Sequence, residues 1–383
     1  MWVGVGGRLG NPDSTGLPRA ETKPVLASVQ VLRGVAACMV LVFHASYMLN
    51  EQGGYNFSYT NAGAAGVDIF FVISGFIIAY ITRGSCVSPS QFLGRRLIRI
   101  GPCYWFYTTV TLAILLAVPT AFAHLKLDVT HVELSYLMVL SNNNDHVIGT
   151  LLGVGWTVCF EAYFYVLVGG LIHLPLRYRT GTLCTIIVSG ALLENVVTAP
   201  AFASVVFSAL PLEFLIGYLF GGAYASGFAF RCTPAVAGIV IACLAIVVAG
   251  RENLVASELD PWRVLYFGLP AACLVAGCIS LDARQVFTPP RVLTRIGDAS
   301  YSLYLSHQFI LYAIGKAWHG LGLHNLLPAL SLLVAGVGSS LGYGILSYRW
   351  FERPLTRFLN GRLRRFELGQ PRQMPEILDR PNA

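Results

Sequence analysis

The sequence predicts an all-α fold, a polytopic membrane helical bundle of about ten transmembrane helices. Of its 383 residues, 55% are hydrophobic and only 12% are charged, whereas soluble proteins carry about 25% charged residues. Apolar stretches of about 20 residues, the length that crosses a bilayer as a helix, recur along the chain. These observations exclude an ordinary soluble domain.

The apolar runs indicate ten spans. They lie near residues 27–50, 66–83, 100–123, 151–174, 181–198, 202–222, 233–249, 263–280, 299–318 and 326–349. Another apolar segment, 132–142, is too short to cross, and we expect it in an outer loop or at the interface.

Basic residues in the connections predict the orientation. With the N-terminus inside, the inner connections carry ten arginines and the outer connections four basic residues, so the positive-inside rule places both termini in the cytosol. We expect residues 1–26 to be a flexible cytosolic tail, 27–357 an integral membrane domain and 358–383 a cytosolic C-terminal tail. The net charge of +7 comes from basic residues dispersed among the connections and tails, as the positive-inside rule requires, and so gives no reason to expect nucleic acid as a partner. The cysteines lack the spacing of a metal site.

Arg33 and His44 lie inside the first apolar run, where a charge and an imidazole are costly to bury. Eleven helical steps return to within about 20° of the starting direction and rise about 16 Å, so both side chains share one helix face at different depths. Ionisable residues in spanning helices usually face an aqueous cavity or a partner. The pair therefore indicates a functional site, the alternative being an interfacial arginine and a hydrogen-bonded packing histidine.

Two further ionisable residues are expected at the depth of His44. Glu161 lies in the fourth span and His307 in the ninth, with Tyr301 and Ser302 nearer the cytosol. Three titratable groups from three helices suggest one polar chamber, although a structural hydrogen-bond cluster is the alternative.

The second and third spans add polar residues near the membrane faces. Asp68 opens the second span, where it is either part of the site or an acid that stabilises a helix N-terminus. Arg96 and Arg99 precede the third span, whose interfacial start is predicted at Pro102. Guanidinium groups three residues apart on a helix share a face and suit phosphates, although lipid headgroup binding and topology control explain them too.

In order, the segments LRGVAACMVLVFH, GVDIFFVISGF, FLGRRLIRIGPCYW, WTVCFEAYFY, YSLYLSHQ and YRWFERP resemble the membrane acyltransferase-3 family of bacterial sugar and polysaccharide O-acyltransferases. The resemblance spans residues 27–357. Thr157 and Cys159 depart from a common family block, W-S-L-x-x-E, but leave Glu161 in place. Stand-alone exopolysaccharide acetyltransferases are the most similar members.

The resemblance implies a multi-pass enzyme of the bacterial inner membrane. It further implies no tightly bound cofactor, an acyl-CoA donor, usually acetyl-CoA, and a polysaccharide or lipid-linked oligosaccharide acceptor, with membrane lipids as surroundings. The rival functions are a carrier or flippase for a lipid-linked sugar and a non-catalytic component of a polysaccharide assembly complex.

The expected mechanism gives His44 the role of general base for a sugar hydroxyl. Glu161 is expected to orient it, Arg33 to stabilise negative charge on the donor or the oxyanion, and Arg96 with Arg99 to bind the CoA phosphates. An acyl-histidine intermediate is a variant of this mechanism. The expected substrate-binding residues are Asp68, Tyr301, Ser302 and His307.

Overall fold

A computed structural model describes residues 26–53, 58–83, 87–119, 127–143, 147–194, 196–286, 290–320 and 326–369. This part of the chain is almost wholly helical, which confirms the predicted all-α class. Its only strands are the two-residue segments Ser141–Asn142 and Ile148–Gly149, which pair antiparallel. Of the predicted tails, positions 1–25 and 370–383 lie outside the described residues.

Twelve α-helices are numbered here in chain order within the described residues. They are α1 Ala27–Gly53, α2 Gly66–Thr82, α3 Pro89–Ala117, α4 Val129–Tyr136, α5 Trp156–Leu171, α6 Leu176–Leu193, α7 Pro211–Ala225, α8 Cys232–Arg251, α9 Leu269–Ala283, α10 Arg291–Gly320, α11 Leu326–Ser347 and α12 Arg353–Gly369. One π-helical segment, Val264–Gly268, leads into α9, and another, Tyr348–Glu352, joins α11 to α12.

Seven of the described helical segments are long and apolar enough to cross a membrane, as a multi-pass membrane protein requires. They are Ala27–Met48, Thr60–Thr82, Pro89–Ala117, Gly153–Leu171, Cys232–Arg251, Val264–Ala283 and Leu330–Arg365. The predicted count of ten is therefore not confirmed. Among the remaining helices, α7 has only 15 residues, and the 30 residues of α10 include many polar and charged side chains. The segment predicted to be too short to cross forms the eight-residue α4 and the first strand.

The predicted start of a helix at Pro102 is wrong, because α3 begins at Pro89 and continues through Pro102. A capping box starts it: the Ser88 hydroxyl accepts from the Gln91 amide at 3.3 Å, and the Gln91 side chain accepts from the Ser88 amide at 3.4 Å. Together with a proline in the first turn this is a strong start signal, whereas neighbouring helices let a membrane helix tolerate an internal proline. Both arginines of the segment consequently lie on α3.

The predicted boundary after residue 357 falls inside α12. This helix packs on α3, where the Leu363 side chain would be 3.6 Å from a Cβ placed at Gly94. The predicted boundary thus lies within a helix whose Leu363 side chain faces α3.

Glycines bring several pairs of helices into backbone contact, and two of these contacts position the site. A Cβ at Gly297 of α10 would overlap the Gln30 carbonyl oxygen of α1, and a Cβ at Gly75 of α2 would overlap the Phe214 carbonyl oxygen of α7. Small residues of this kind drive close helix packing in membranes, where burial of apolar surface gives little net gain. The first contact sets α1 and α10 side by side and parallel, which brings the polar residues of both helices together.

Candidate active site

The first of two neighbouring cavities, named here the arginine cavity, encloses about 810 Å³, part of it open to the outside. Arg33 of α1, Arg96 and Arg99 of α3 and Glu161 of α5 line it. Three guanidinium groups and one carboxylate give this lining a formal charge of +2, which suits an anionic ligand.

Arg99 is held by a buried carboxylate from the far end of the chain. Its Nη1 donates to Glu352 Oε1 at 2.5 Å, and its guanidinium lies 5.3 Å from the centre of the Tyr301 ring. Glu352 also accepts from the Ser302 amide at 3.2 Å and the Ser302 hydroxyl at 2.6 Å. Since 30% of the Arg99 side chain stays exposed, its other N–H groups remain accessible to a ligand. Tyr301 therefore lines the cavity as expected, whereas Ser302 supports Glu352 from behind.

Arg96 and Arg33 are less fully paired than Arg99. The Arg96 guanidinium lies 5.9 Å from the Phe92 ring centre and 5.8 Å from the Tyr165 ring centre, and its buried Nε has no hydrogen-bond partner among the described residues. Arg33 Nη1 makes a long contact of 3.5 Å to Gln30 Oε1. Both guanidinium groups line the cavity, and neither forms a salt bridge to a carboxylate among the described residues.

Glu161 faces the arginine cavity and makes no contact with His44. Its Oε1 accepts from the Ser74 hydroxyl at 2.9 Å and from the Tyr165 hydroxyl, and it interacts electrostatically with Arg33. The structure therefore does not bring Glu161 to the position expected for orienting the histidine. The physical reason is that matched depth in a membrane fixes only one coordinate of a side chain, while its direction depends on the rotation of its helix.

The second cavity, named here the histidine cavity, encloses about 1190 Å³, part of it also open to the outside. His44 lines it together with Tyr47, Asn61 and Asn253. Val67 and Tyr304 line both cavities and so lie where the two meet. The single chamber expected from the sequence is thus two adjoining cavities. Of the two α1 residues predicted to share a face, Arg33 lines the first cavity and His44 the second.

His44 and His307 are in direct contact, with 3.2 Å between His44 Nδ1 and His307 Nε2. His307 Nδ1 lies 2.7 Å from the Tyr304 carbonyl oxygen, and His44 Nδ1 lies 3.0 Å from the Val40 carbonyl oxygen. A carbonyl oxygen only accepts, so we assign a hydrogen to each Nδ1. His307 Nε2 then accepts from His44 Nδ1, and His44 Nε2 keeps its lone pair. This tautomer makes Nε2 of His44 a proton acceptor.

Asp68 lies outside both cavity linings. It is fully buried and forms a bidentate pair with Arg263, at 2.9 Å from Nε to Oδ1 and 2.7 Å from Nη2 to Oδ2. The structure therefore gives Asp68 an ion pair within the bundle in place of the substrate contact expected from its position. Arg263, at the start of the predicted eighth span, is buried with it.

Comparison with known proteins decides the class of this site. The sequence profile of the acyltransferase-3 family, described as an acyltransferase domain, matches residues 26–348. The chain belongs to the acyltransferase-3 family. The exopolysaccharide production protein ExoZ of Rhizobium meliloti (strain 1021) is 35% identical over 337 residues, which cover 86% of this chain and 98% of that relative. No solved structure matches the chain significantly.

The acyltransferase-3 assignment makes this protein a membrane acyltransferase. Glu352 is the site residue that sequence reasoning missed, although its segment YRWFERP is one of the family blocks. An isolated acidic residue between Arg349 and Arg353 was the available signal, because a carboxylate there needs a partner when its helix is buried. Among the described residues, no group of three or more His, Cys, Asp or Glu side chains could hold a metal ion.

Proposed function

We propose that this protein is an O-acyltransferase that moves an acyl group, acetyl in the simplest case, from acyl-CoA to a sugar hydroxyl. The acceptor is an exopolysaccharide or its lipid-linked precursor. The observation that carries the proposal is that a cationic cavity adjoins a second cavity lined by His44. His44 Nδ1 lies 3.0 Å from the Val40 carbonyl oxygen, and we therefore assign Nε2 as the unprotonated nitrogen. The similarity to an exopolysaccharide production protein supports the class of acceptor.

The arginine cavity is the proposed site for the CoA part of the donor. Guanidinium groups bind phosphates through paired N–H groups, and Arg96 and Arg99 both line the cavity. Arg33 is assigned to the donor and not to the reacting oxyanion. It lies about 16 Å below His44 along α1, and helical side chains tilt toward the N-terminus and hence away from His44.

The proposed reaction is direct transfer. Nε2 of His44 removes the proton of the sugar hydroxyl while the hydroxyl oxygen attacks the thioester carbonyl carbon. The C–O bond of the ester forms and the C–S bond breaks. The CoA thiolate takes the proton from His44 and leaves as the thiol, which returns the base to its starting form. Acyl-CoA is a substrate in this scheme, and no tightly bound cofactor is proposed.

Proposed placement in the membrane follows from the same geometry. The arginine cavity lies toward the N-terminal end of α1, the end that the positive-inside rule assigns to the cytosol together with both termini. Acyl-CoA is a cytosolic metabolite, so a bacterial inner membrane location with this orientation supplies the donor to the arginines. Membrane lipids are the remaining expected partners.

Purified protein in lipid nanodiscs tests this function. We expect transfer of label from radioactive acetyl-CoA to oligosaccharides prepared from chemically de-esterified exopolysaccharide of the producing strain, in an alkali-labile bond. His44→Ala should lower the rate about 10²- to 10⁴-fold, the usual cost of a lost general base. His173→Ala, which alters an exposed histidine outside both cavities, is the matched control.

Two outcomes would contradict the proposal: wild-type protein that transfers no label, or a well-inserted His44→Ala protein that transfers at the wild-type rate. A carrier would instead move a lipid-linked sugar across vesicle membranes without consuming thioester.

A further inference from the structure

We infer that the histidine cavity is the acceptor site and that it binds a neutral sugar ring, held by Tyr47 and the Asn61–Asn253 pair. This inference rests on the proposed function, because it names where the acceptor of that reaction lies.

The two cavities differ in charge, and this difference assigns the substrates. The arginine cavity has three guanidinium groups and one carboxylate in its lining. In the described lining of the histidine cavity the charged residues are Arg263 and Glu258, and Arg263 is already paired with Asp68 on two N–H groups. An anion gains little from this cavity, whereas a neutral polyhydroxylated ligand pays no electrostatic penalty there. For the same reason a phosphate-bearing lipid headgroup fits the histidine cavity poorly.

An asparagine pair offers complementary hydrogen-bonding groups in the histidine cavity. Asn61 Nδ2 donates to Asn253 Oδ1 at 2.5 Å. The pair still presents a carbonyl oxygen from Asn61 and amide hydrogens from Asn253, and a sugar hydroxyl both donates and accepts. Asn253 has a φ of 51°, a left-handed conformation that asparagine tolerates better than most residues. The chain thus presents this amide from an otherwise unfavourable backbone geometry.

Tyr47 supplies an aromatic face on the same helix as the base. Its side chain is 55% exposed, and it lies three residues beyond His44, hence on a neighbouring part of the α1 surface. An aromatic ring beside amide groups pairs with a sugar, whose ring has C–H faces and a hydroxyl rim. A sugar held there lies next to Nε2 of His44, the atom assigned to take its proton.

The experiment separates the two substrates by their KM values in the nanodisc assay, with acetyl-CoA and the de-esterified oligosaccharides as probes. Tyr47→Ala should raise the KM for the oligosaccharide about 3- to 10-fold, and Tyr47→Phe should leave it near wild type. Asn253→Gly removes the amide without straining the left-handed backbone and should raise the same KM about 3- to 10-fold. The KM for acetyl-CoA should stay within about twofold in all three variants.

Trp262→Ala is the control. This aromatic residue is 62% exposed and lies in the same loop as Asn253, but it is outside the described lining of both cavities. An unchanged oligosaccharide KM in both Tyr47→Ala and Asn253→Gly would overturn the acceptor assignment while wild-type transfer still upheld the proposed function. An equal rise of both KM values would also overturn it, since donor and acceptor would then share one site. Wild-type protein without any transfer would instead contradict the proposed function itself.

Discussion

The contact between His44 and His307 allows a test of which groups prepare the base. His307→Leu keeps an apolar side chain of moderate size but removes the acceptor for His44 Nδ1–H. His307→Gln retains a carbonyl oxygen that can accept this hydrogen bond. The two variants therefore differ mainly in the hydrogen bond to His44.

The expected magnitude follows from the two acceptors that His44 Nδ1–H has. It lies 3.2 Å from His307 Nε2 and 3.0 Å from the Val40 carbonyl oxygen. His307→Leu removes one of them, and a hydrogen bond contributes about 0.5–1.5 kcal/mol net, which corresponds to a kcat roughly 2- to 13-fold lower. Because the Val40 carbonyl still holds the hydrogen on Nδ1, the tautomer persists and the loss stays below that of His44→Ala. His307→Gln should recover most of the wild-type kcat.

The assay measures kcat and both KM values of purified variants in nanodiscs, with thermal unfolding as a control for folding. A loss in His307→Leu as large as in His44→Ala would refute the reasoning, since His307 would then have to take part in the proton transfer itself. Equal losses in the Leu and Gln variants would also refute it, because the missing hydrogen bond would not be the cause.

Three further predictions follow from the arginine cavity and the short helix α4. The double variant Arg96→Ala, Arg99→Ala should weaken equilibrium binding of labelled acyl-CoA about 100-fold, as expected for two lost charge-assisted contacts; wild-type affinity would return these residues to a topological role. Glu161→Gln keeps the shape of the side chain and raises the formal charge of the cavity lining, so the KM for acyl-CoA should fall roughly 3-fold. The pH profile of kcat should stay unchanged. An altered profile would show that Glu161 acts on the base after all. Burial lowers the pKa of His131, which lies in α4 outside the spanning segments, below its ordinary value of about 6.5. As the pH falls below about 6.5, the unfolded chain therefore binds a proton at this histidine before the folded chain does, and acid destabilises the fold. The drop in melting temperature between pH 7.5 and 5.5 should be smaller in His131→Gln than in the wild type. Equal drops in both proteins would count against a buried neutral histidine.

The sequence predicted the residues of the site better than their arrangement. Periodicity placed Arg33 and His44 on one face of α1, and depth placed His44, His307 and Glu161 at one level without predicting which of them are in contact. Neither carries information on helix rotation, so the direction of Glu161 and the division into two cavities had to come from the structure. Partners far apart in the chain were equally hidden, as with Arg99 and Glu352, which are 253 residues apart.

The span count shows a similar limit. Apolar runs indicate how much of the chain is embedded. However, α7 departs from the simple pattern because it is short, and α10 departs from it because it carries many polar and charged residues, His307 among them. Local signals were decisive where they were strong. The capping box at Ser88 starts α3 well before Pro102. A proline marks the first turn of a helix only where no earlier signal has already started that helix.

The backbone contact between α2 and α7 has a consequence for the choice of acyl group. Phe70, Ser74 and Ile77 of α2 form one side of the arginine cavity, and Gly75 behind them leaves no space between α2 and α7. This side of the cavity cannot retreat, because any outward shift of α2 would drive its backbone into α7. Under the proposed function, room for a longer acyl chain in this cavity must come from the other helices that line it, α1, α3, α5 and α10. If the donor binds here as proposed, natural or engineered changes in donor preference should map to the lining residues of α1, α3, α5 and α10 and not to those of α2.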